Sequence, residues 1–323
     1  MKKFTKLALV SSLAISANAM AMQAMDDASL GATTGQDGIN IGIGISKIEI
    51  EKLLIHDNDG LTASGTAGQP GFGGTSTAGA IVIKGNGTGA TATNGIVIAA
   101  NMASLLPSHN LADLQIDTDA GTTAAGGAFI NIAAQVSGLD ISIGEIGVAK
   151  SGDAAATGIR RGASDNYNKI ITGLNIKTGV MTANVQLGAS PQGAMINLST
   201  TMQGGLTISD LGIHDSAGGG DIWLGKIQVA DANGTDLSIS NKIKVTPGGL
   251  VILNDSPNAT DIYVQAIALG SKPASVTTAT PLGARGTATA GTIGDVEVQG
   301  LQTYYMNSPT SMAKGSVITI SGR

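Results

Sequence analysis

Three histidines, no cysteine and a few acidic turns are the residues with which this 323-residue chain could do chemistry. His56-Asp57 and His214-Asp215 could be acid–base pairs or halves of a metal site. Neighbouring residues of a strand point to opposite faces, however, so neither Asp can orient the His before it. With so few nitrogen ligands and no thiolate, a transition-metal centre lacks its donors. Asp57-Asn58-Asp59-Gly60, Asp117-Thr118-Asp119-Ala120-Gly121 and Asp231-Ala232-Asn233 gather hard oxygen ligands instead. Asp57, Asp59, Asp117 and Asp119 are thus the candidate ligands of a structural Ca²⁺, although position 68, where an EF-hand places its bidentate Glu, is Gly. Ordinary Asp-rich turns have the same composition.

Two further motifs fail on context. Gly85-Asn86-Gly87-Thr88-Gly89-Ala90 has the spacing of a dinucleotide fingerprint, but the Thr91-Ala92-Thr93-Asn94-Gly95 that follows does not open the helix whose N-terminus would hold phosphate. Ser164-Asp165-Asn166, Lys177-Thr178-Gly179 and Ser311-Met312-Ala313-Lys314 are the short motifs of serine penicillin-binding enzymes, yet the nucleophile motif comes last instead of first. The pattern assigns no catalytic residue, and a non-enzymatic protein is expected.

The elements that would carry these residues are strands. Ile39-Asn40-Ile41-Gly42-Ile43-Gly44-Ile45, Ala80-Ile81-Val82-Ile83, Leu139-Asp140-Ile141-Ser142-Ile143 and Asp236-Leu237-Ser238-Ile239 alternate with period two. Turn clusters such as Pro247-Gly248-Gly249 separate them. There is also an internal repeat: Ile39-Asn40-Ile41, Ile130-Asn131-Ile132 and Ile196-Asn197-Leu198 open segments whose later apolar positions correspond. Ile45, Ile48, Ile50 and Ile55 match Val136, Leu139, Ile141 and Ile146, and then Met202, Leu206, Ile208 and Ile213. Copies start 91 and 66 residues apart, at positions 39, 130 and 196, so each is a multi-stranded unit. The change of parity between Ile45 and Ile48 predicts a bulge or corner.

Aromatics at 2% and charged residues at 13% leave a core of Ile, Leu, Val and Ala, which suits thin layers in which like residues stack. The fold expected is all-β, an elongated β-solenoid or prism-like stack of short strands with Gly-rich loops, with a β-sandwich as the alternative. Segments 60–79, 85–95, 117–127 and 271–294 are rich in Gly, Ala, Ser and Thr and are expected to bury little.

Lys2, Lys3 and Lys6, an apolar run over 7–17 and Ala17-Asn18-Ala19 form a secretory signal peptide, with cleavage after Ala19 or Ala21. Losing those three lysines moves the formal net charge from −5 to −8, unfavourable for nucleic acid. No run approaches the roughly 18 apolar residues of a membrane helix, and the aromatic girdles of a membrane barrel are missing, so an integral membrane protein is not expected. Without cysteine there is neither a lipidated first residue nor a disulfide. The expected parts are a signal peptide over 1–19, a short segment over 20–38, a repeated all-β domain over 39–270, a flexible loop over 271–294 and C-terminal strands over 295–323.

The run Met22-Gln23-Ala24-Met25-Asp26-Asp27-Ala28-Ser29-Leu30-Gly31-Ala32-Thr33-Thr34-Gly35-Gln36-Asp37-Gly38-Ile39 carries an acidic pair, then Thr-Gly-Gln and Gly-Ile before the first strand. It resembles the FilA-type pilus-system proteins of Gram-negative bacteria and related uncharacterised exported proteins, over about the first 60 residues. The resemblance implies a secreted structural or adhesive component of a pilus or fimbrium. Its place would be the periplasm, the outer surface or an extracellular filament. Partners would be other pilus-system or outer-membrane proteins, or further copies of the chain joined by strand pairing through 39–45 or Val317-Ile318-Thr319-Ile320. The alternative is a soluble periplasmic or secreted binding module for glycan or an envelope protein.

Overall fold

The period-two pattern becomes strand throughout the computed structural model, which describes residues 38–153, 158–277 and 279–322. The expected signal peptide and all but the last residue of the expected 20–38 segment lie outside the described residues. The chain runs β1 (Ile39–Ile43), β2 (Lys47–Ile50), β3 (Lys52–Asp57), β4 (Gly79–Lys84), β5 (Ile96–Ala100), β6 (Ala112–Asp119) and β7 (Phe129–Val136). It continues through β8 (Leu139–Ile143), β9 (Glu145–Lys150), β10 (Asn168–Lys177), β11 (Met181–Gly188), β12 (Ile196–Met202), β13 (Leu206–Asp215) and β14 (Gly220–Asp231). The remainder is β15 (Leu237–Thr246), β16 (Gly249–Asn254), β17 (Thr260–Gly270), β18 (Gly294–Leu301), β19 (Tyr304–Ser308), β20 (Ser311–Lys314) and β21 (Ser316–Ile320). Among the described residues no helix is long and apolar enough to cross a membrane.

The protein is all-β and sandwich-like, with two large antiparallel sheets. One has the order β1-β6-β7-β11-β12-β15-β16-β21; the other runs β18-β17-β14-β13-β10-β8-β5-β2, with β3, β4 and β9 as a side branch from β10. Both orders rise monotonically along the chain, as expected of stacked layers. A solenoid, however, stacks its coils in parallel, whereas each strand pair with a defined register here is antiparallel. The chain therefore advances as eight bent rungs laid in alternating directions. Each odd rung passes from the first sheet to the second, and each even rung returns.

This explains the internal repeat. The three copies are the first three of the four odd rungs, β1 to β3, β7 to β9 and β12 to β13, and each repeat interval contains the even rung that returns the chain. The parity change between Ile45 and Ile48 is the bend itself, not a bulge within one sheet. At the bend between β7 and β8, Ser137 is fully buried; its hydroxyl accepts from Leu106 N at 3.0 Å and donates to Asn110 O at 2.6 Å. Next to it, Leu139 N donates to Thr178 Oγ1 at 3.0 Å and Asn101 Nδ2 to Thr178 O at 3.1 Å. Small buried polar side chains thus satisfy backbone groups where the ladder turns from one sheet to the other.

Between bends, register is held by cross-strand aliphatic rows. Ile48, Ile98, Ile141, Ile176, Ile208, Ile227, Val264 and Val296 are successive partners across the second sheet. In the first sheet Ile116, Ile132, Val185, Ile196, Ile243, Ile252 and Ile318 do the same. Such pairs contribute roughly 0.2–1 kcal/mol each. The row beside the first of these, on the opposite face, is mostly polar: Glu49, Val97, Ser142, Asn175, Ser209, Lys226 and Gln265.

Fully buried apolar residues are few and local. Ala80, Val82 and Ala149 pack under Leu54 and Tyr167, while Trp223, Ala266 and Ala268 pack under Val276 and Leu282. The second cluster involves the expected loop over 271–294. Val276 and Leu282 seat this segment on the sheet, and buried Gln265 donates through Nε2 to Gly283 O at 3.0 Å and Ala284 O at 3.2 Å. Together with the C-terminal strands it belongs to the unit Asn40–Arg323.

A Cβ on Gly138 would lie 2.7 Å from both Ser104 Cβ and Thr178 O. Gly138→Val is therefore expected to lower the unfolding free energy by about 1–3 kcal/mol in chemical denaturation. Gly65→Ala, where a Cβ meets nothing within 4 Å, is expected to leave it unchanged.

Candidate functional site

Two features of the surface can carry function: the free sheet edges and a polar cleft. The sequence-predicted pairing segments fall on the edges. β1 and β21 are the two outermost strands of the eight-stranded sheet, and β2 and β18 end the path of the other. Every residue of β18 is exposed. Large aliphatics project there from both ends of the stack, with Ile39 59% and Ile48 36% exposed at one end, and Val296 46%, Ile318 54% and Ile320 55% at the other.

Charge also differs between the ends. Lys47 pairs with Glu49 on β2. On β18, Asp295 accepts from Tyr263 Oη at 2.6 Å and Ala266 N at 2.9 Å. These bonds, the Tyr263 hydroxyl first, hold its carboxyl below the usual carboxylate range. They fasten β18 to β17 where Ala266, at φ +60°, breaks the regular pairing.

The cleft lies on the polar face of the second sheet, between the 86–91 turn and Trp223. Asp210, in the left-handed region at φ +59°, accepts from Trp223 Nε1 at 2.8 Å and from Lys272 Nζ at 2.6 Å. Lys272 lies 5.7 Å from the centre of the indole ring. Gly225 has no room for a side chain, because a Cβ would come within 2.5 Å of Leu282 Cδ1 and 2.8 Å of the Trp223 ring. Across the cleft, Asn86 donates to Thr172 O at 3.2 Å and accepts from Thr91 Oγ1 at 2.6 Å. The cleft holds about 370 Å³, and its walls include Thr88, Thr172, Asn175 and Asp221. Amides, hydroxyls and carboxylates of this kind suit a neutral, hydroxyl-rich ligand. Sequence reasoning missed this cluster; the one signal was a single Trp in an aromatic-poor chain.

The sequence-predicted ligands do not come together as one site. Asp57 and Asp59 stand at the end of β3 in one sheet, Asp117 and Asp119 at the end of β6 in the other. Asp57 Oδ1 accepts from Gly60 N at 3.1 Å and Asp119 Oδ1 from Gly121 N at 2.6 Å, so each closes its own turn. Among the described residues no group of three or more His, Cys, Asp or Glu is placed to hold a metal. His56 Nδ1 meets Ser151 Oγ at 2.7 Å and His214 Nδ1 meets Asp221 Oδ1 at 2.7 Å; neither turns to the Asp that follows it. The Gly85 to Ala90 motif leads only into the three-residue 3₁₀ turn Gly89–Thr91. The penicillin-binding-like motifs are dispersed over the β9–β10 connection, the β10–β11 bend and β20.

The fold and its surface define a class: an antiparallel two-sheet protein that advances rung by rung and, among the described residues, leaves a free edge at each end. Residues 1–99 match DUF6160, a family of unknown function. Within the described residues the match covers the first rung, all of β4, and β5 but for Ala100. No curated protein and no solved structure matches the chain.

Because its pKa is lowered in the folded state, the stability Asp295 contributes is present above the ordinary carboxylate value and is lost as pH falls through the lowered one. Asp295→Asn is expected to lower stability in the neutral region and to make the acid limb of the stability profile shallower, the two proteins converging at the acid end. Thermal melts of both proteins between about pH 2 and pH 7 check this.

Proposed function

We propose that the protein is an exported, non-catalytic structural component of a pilus-like surface filament system, joining its neighbours through its sheet edges. The observation carrying this is the position of the terminal strands. β1 and β21 lie at opposite ends of one sheet, each with an outer row of backbone N–H and C=O groups that no strand among the described residues pairs, and with exposed Ile residues beside them. Natural proteins ordinarily blunt such edges with charge, proline or a covering element. On β21, Val317-Ile318-Thr319-Ile320 has none of the first two. Edges of this kind bind by strand addition: main-chain hydrogen bonds provide affinity, and alternate side chains select the partner. The acidic balance and the resemblance of the N-terminal run to pilus-system proteins agree with this role.

The cleft beside Asp210 and Trp223 favours one second function, a binding module for glycan. In that case the protein would stay monomeric until its ligand was added.

Gentle shearing of intact cells, followed by pelleting and immuno-electron microscopy, separates the two. Antibody to the protein is expected to decorate filaments in the pellet. Ile320→Lys, which puts charge on a side chain that is already largely exposed, is expected to reduce the pelleted share at least several-fold with little effect on folding. A signal confined to the periplasm, beside bare filaments, would contradict the structural role.

A further inference from the structure

We infer that the partner of these edges is a second copy of this chain, bound head to tail, with β18 of one copy laid antiparallel on β2 of the next and Val296 set against Ile48. This rests on the filament role proposed above and specifies its contact.

Direction comes first. Successive rungs are antiparallel and there are eight of them, so the first and last run in opposite senses. A copy added beyond β18 therefore continues the alternation in this sheet, and by the same count β1 of that copy meets β21 in the other. Adding a copy to either end leaves the same pair of edges exposed, so the contact is heterologous and generates an open chain of subunits.

Register comes second. The aliphatic row that begins at Ile48 and ends at Val296 leaves both terminal side chains exposed. Extending it by one strand places Val296 against Ile48, Glu297 against Lys47 and Asp295 against Glu49. Slipping by one residue would turn each aliphatic onto the polar face. A slip of two that sets Val296 against Ile50 keeps the faces but opposes Glu297 to Glu49 and Asp295 to Glu51, two like-charge pairs. The opposite slip of two sets Val296 against Ser46 and Glu297 against Ile45, ending the apolar row. The in-register pairing has one attractive pair, Glu297 with Lys47, and one like-charge pair. In the latter, Asp295 is already held by Tyr263 and Ala266, and Glu49 already pairs with Lys47.

The natural chain has no cysteine, so introduced thiols report only the contact. Lys47→Cys and Glu297→Cys proteins, mixed and oxidised, are expected to give a disulfide-linked heterodimer at least ten-fold above either protein alone. Glu49→Cys with Glu297→Cys is expected to cross-link poorly. Equal cross-linking in the shifted pair, or a dominant Lys47→Cys homodimer, which reports an isologous β2 contact, would overturn the proposal. As a second readout, Glu297→Lys should weaken self-association at least five-fold in sedimentation, and Lys47→Glu in the same chain should restore it. Failure of the charge swap to rescue would also overturn it. Decorated filaments without these cross-links would leave the filament role standing and remove only this contact; cross-links without filaments would do the reverse.

Discussion

The structure depends on aliphatic side chains facing one another across strand after strand. Because strand side chains alternate with a period of two, one misplaced residue in any rung would carry its whole apolar set to the wrong face. Row continuity across eight strands therefore fixes the register along the main path of the second sheet, including rungs far apart in sequence, with few aromatics and no disulfide. It also explains the composition. Ile and Val fit a pleated surface beside copies of themselves, whereas a bulky aromatic would interrupt the row.

A row of this kind must begin and end, and each sheet must connect to the other. The connections need residues small enough to let backbones approach and polar enough to replace lost ladder bonds. Ser137, Gly138 and Thr178 meet both needs at one bend, through the hydroxyls of Ser137 and Thr178 and the missing side chain of Gly138. Where loops rest on the polar face they bring their own apolar anchors, as Val276 and Leu282 do over Trp223. The core is thus a set of local clusters, and the rows between them remain half-buried.

Much of this was legible in the sequence. Strand content follows from alternation, and the 39, 130 and 196 repeat marks three of the four odd rungs. The parity change at Ile45 to Ile48 located the bend. What could not be read was the direction of stacking, because parallel and antiparallel rungs share the same period-two pattern and differ only in hydrogen bonding. The even rungs escaped for a related reason: they run backwards through the same environment, so their residues do not align with the odd ones. The Asp210, Trp223 and Lys272 cluster joins three residues, one of them inside a low-complexity stretch, and no local spacing announces it. Strand geometry separates the His-Asp pairs, and of the four candidate Asp ligands Asp57 and Asp119 close turns in two different sheets while Asp117 lies within β6.

Open edges at both ends of a chain-ordered stack give the protein a polarity, and that polarity is the central claim about how it works. Sedimentation velocity of the purified protein over a wide concentration range tests this most directly. The account predicts a progressive series of species that lengthens with concentration without closing at a fixed size. A single monomer at all concentrations, or a dimer that grows no further, would contradict it.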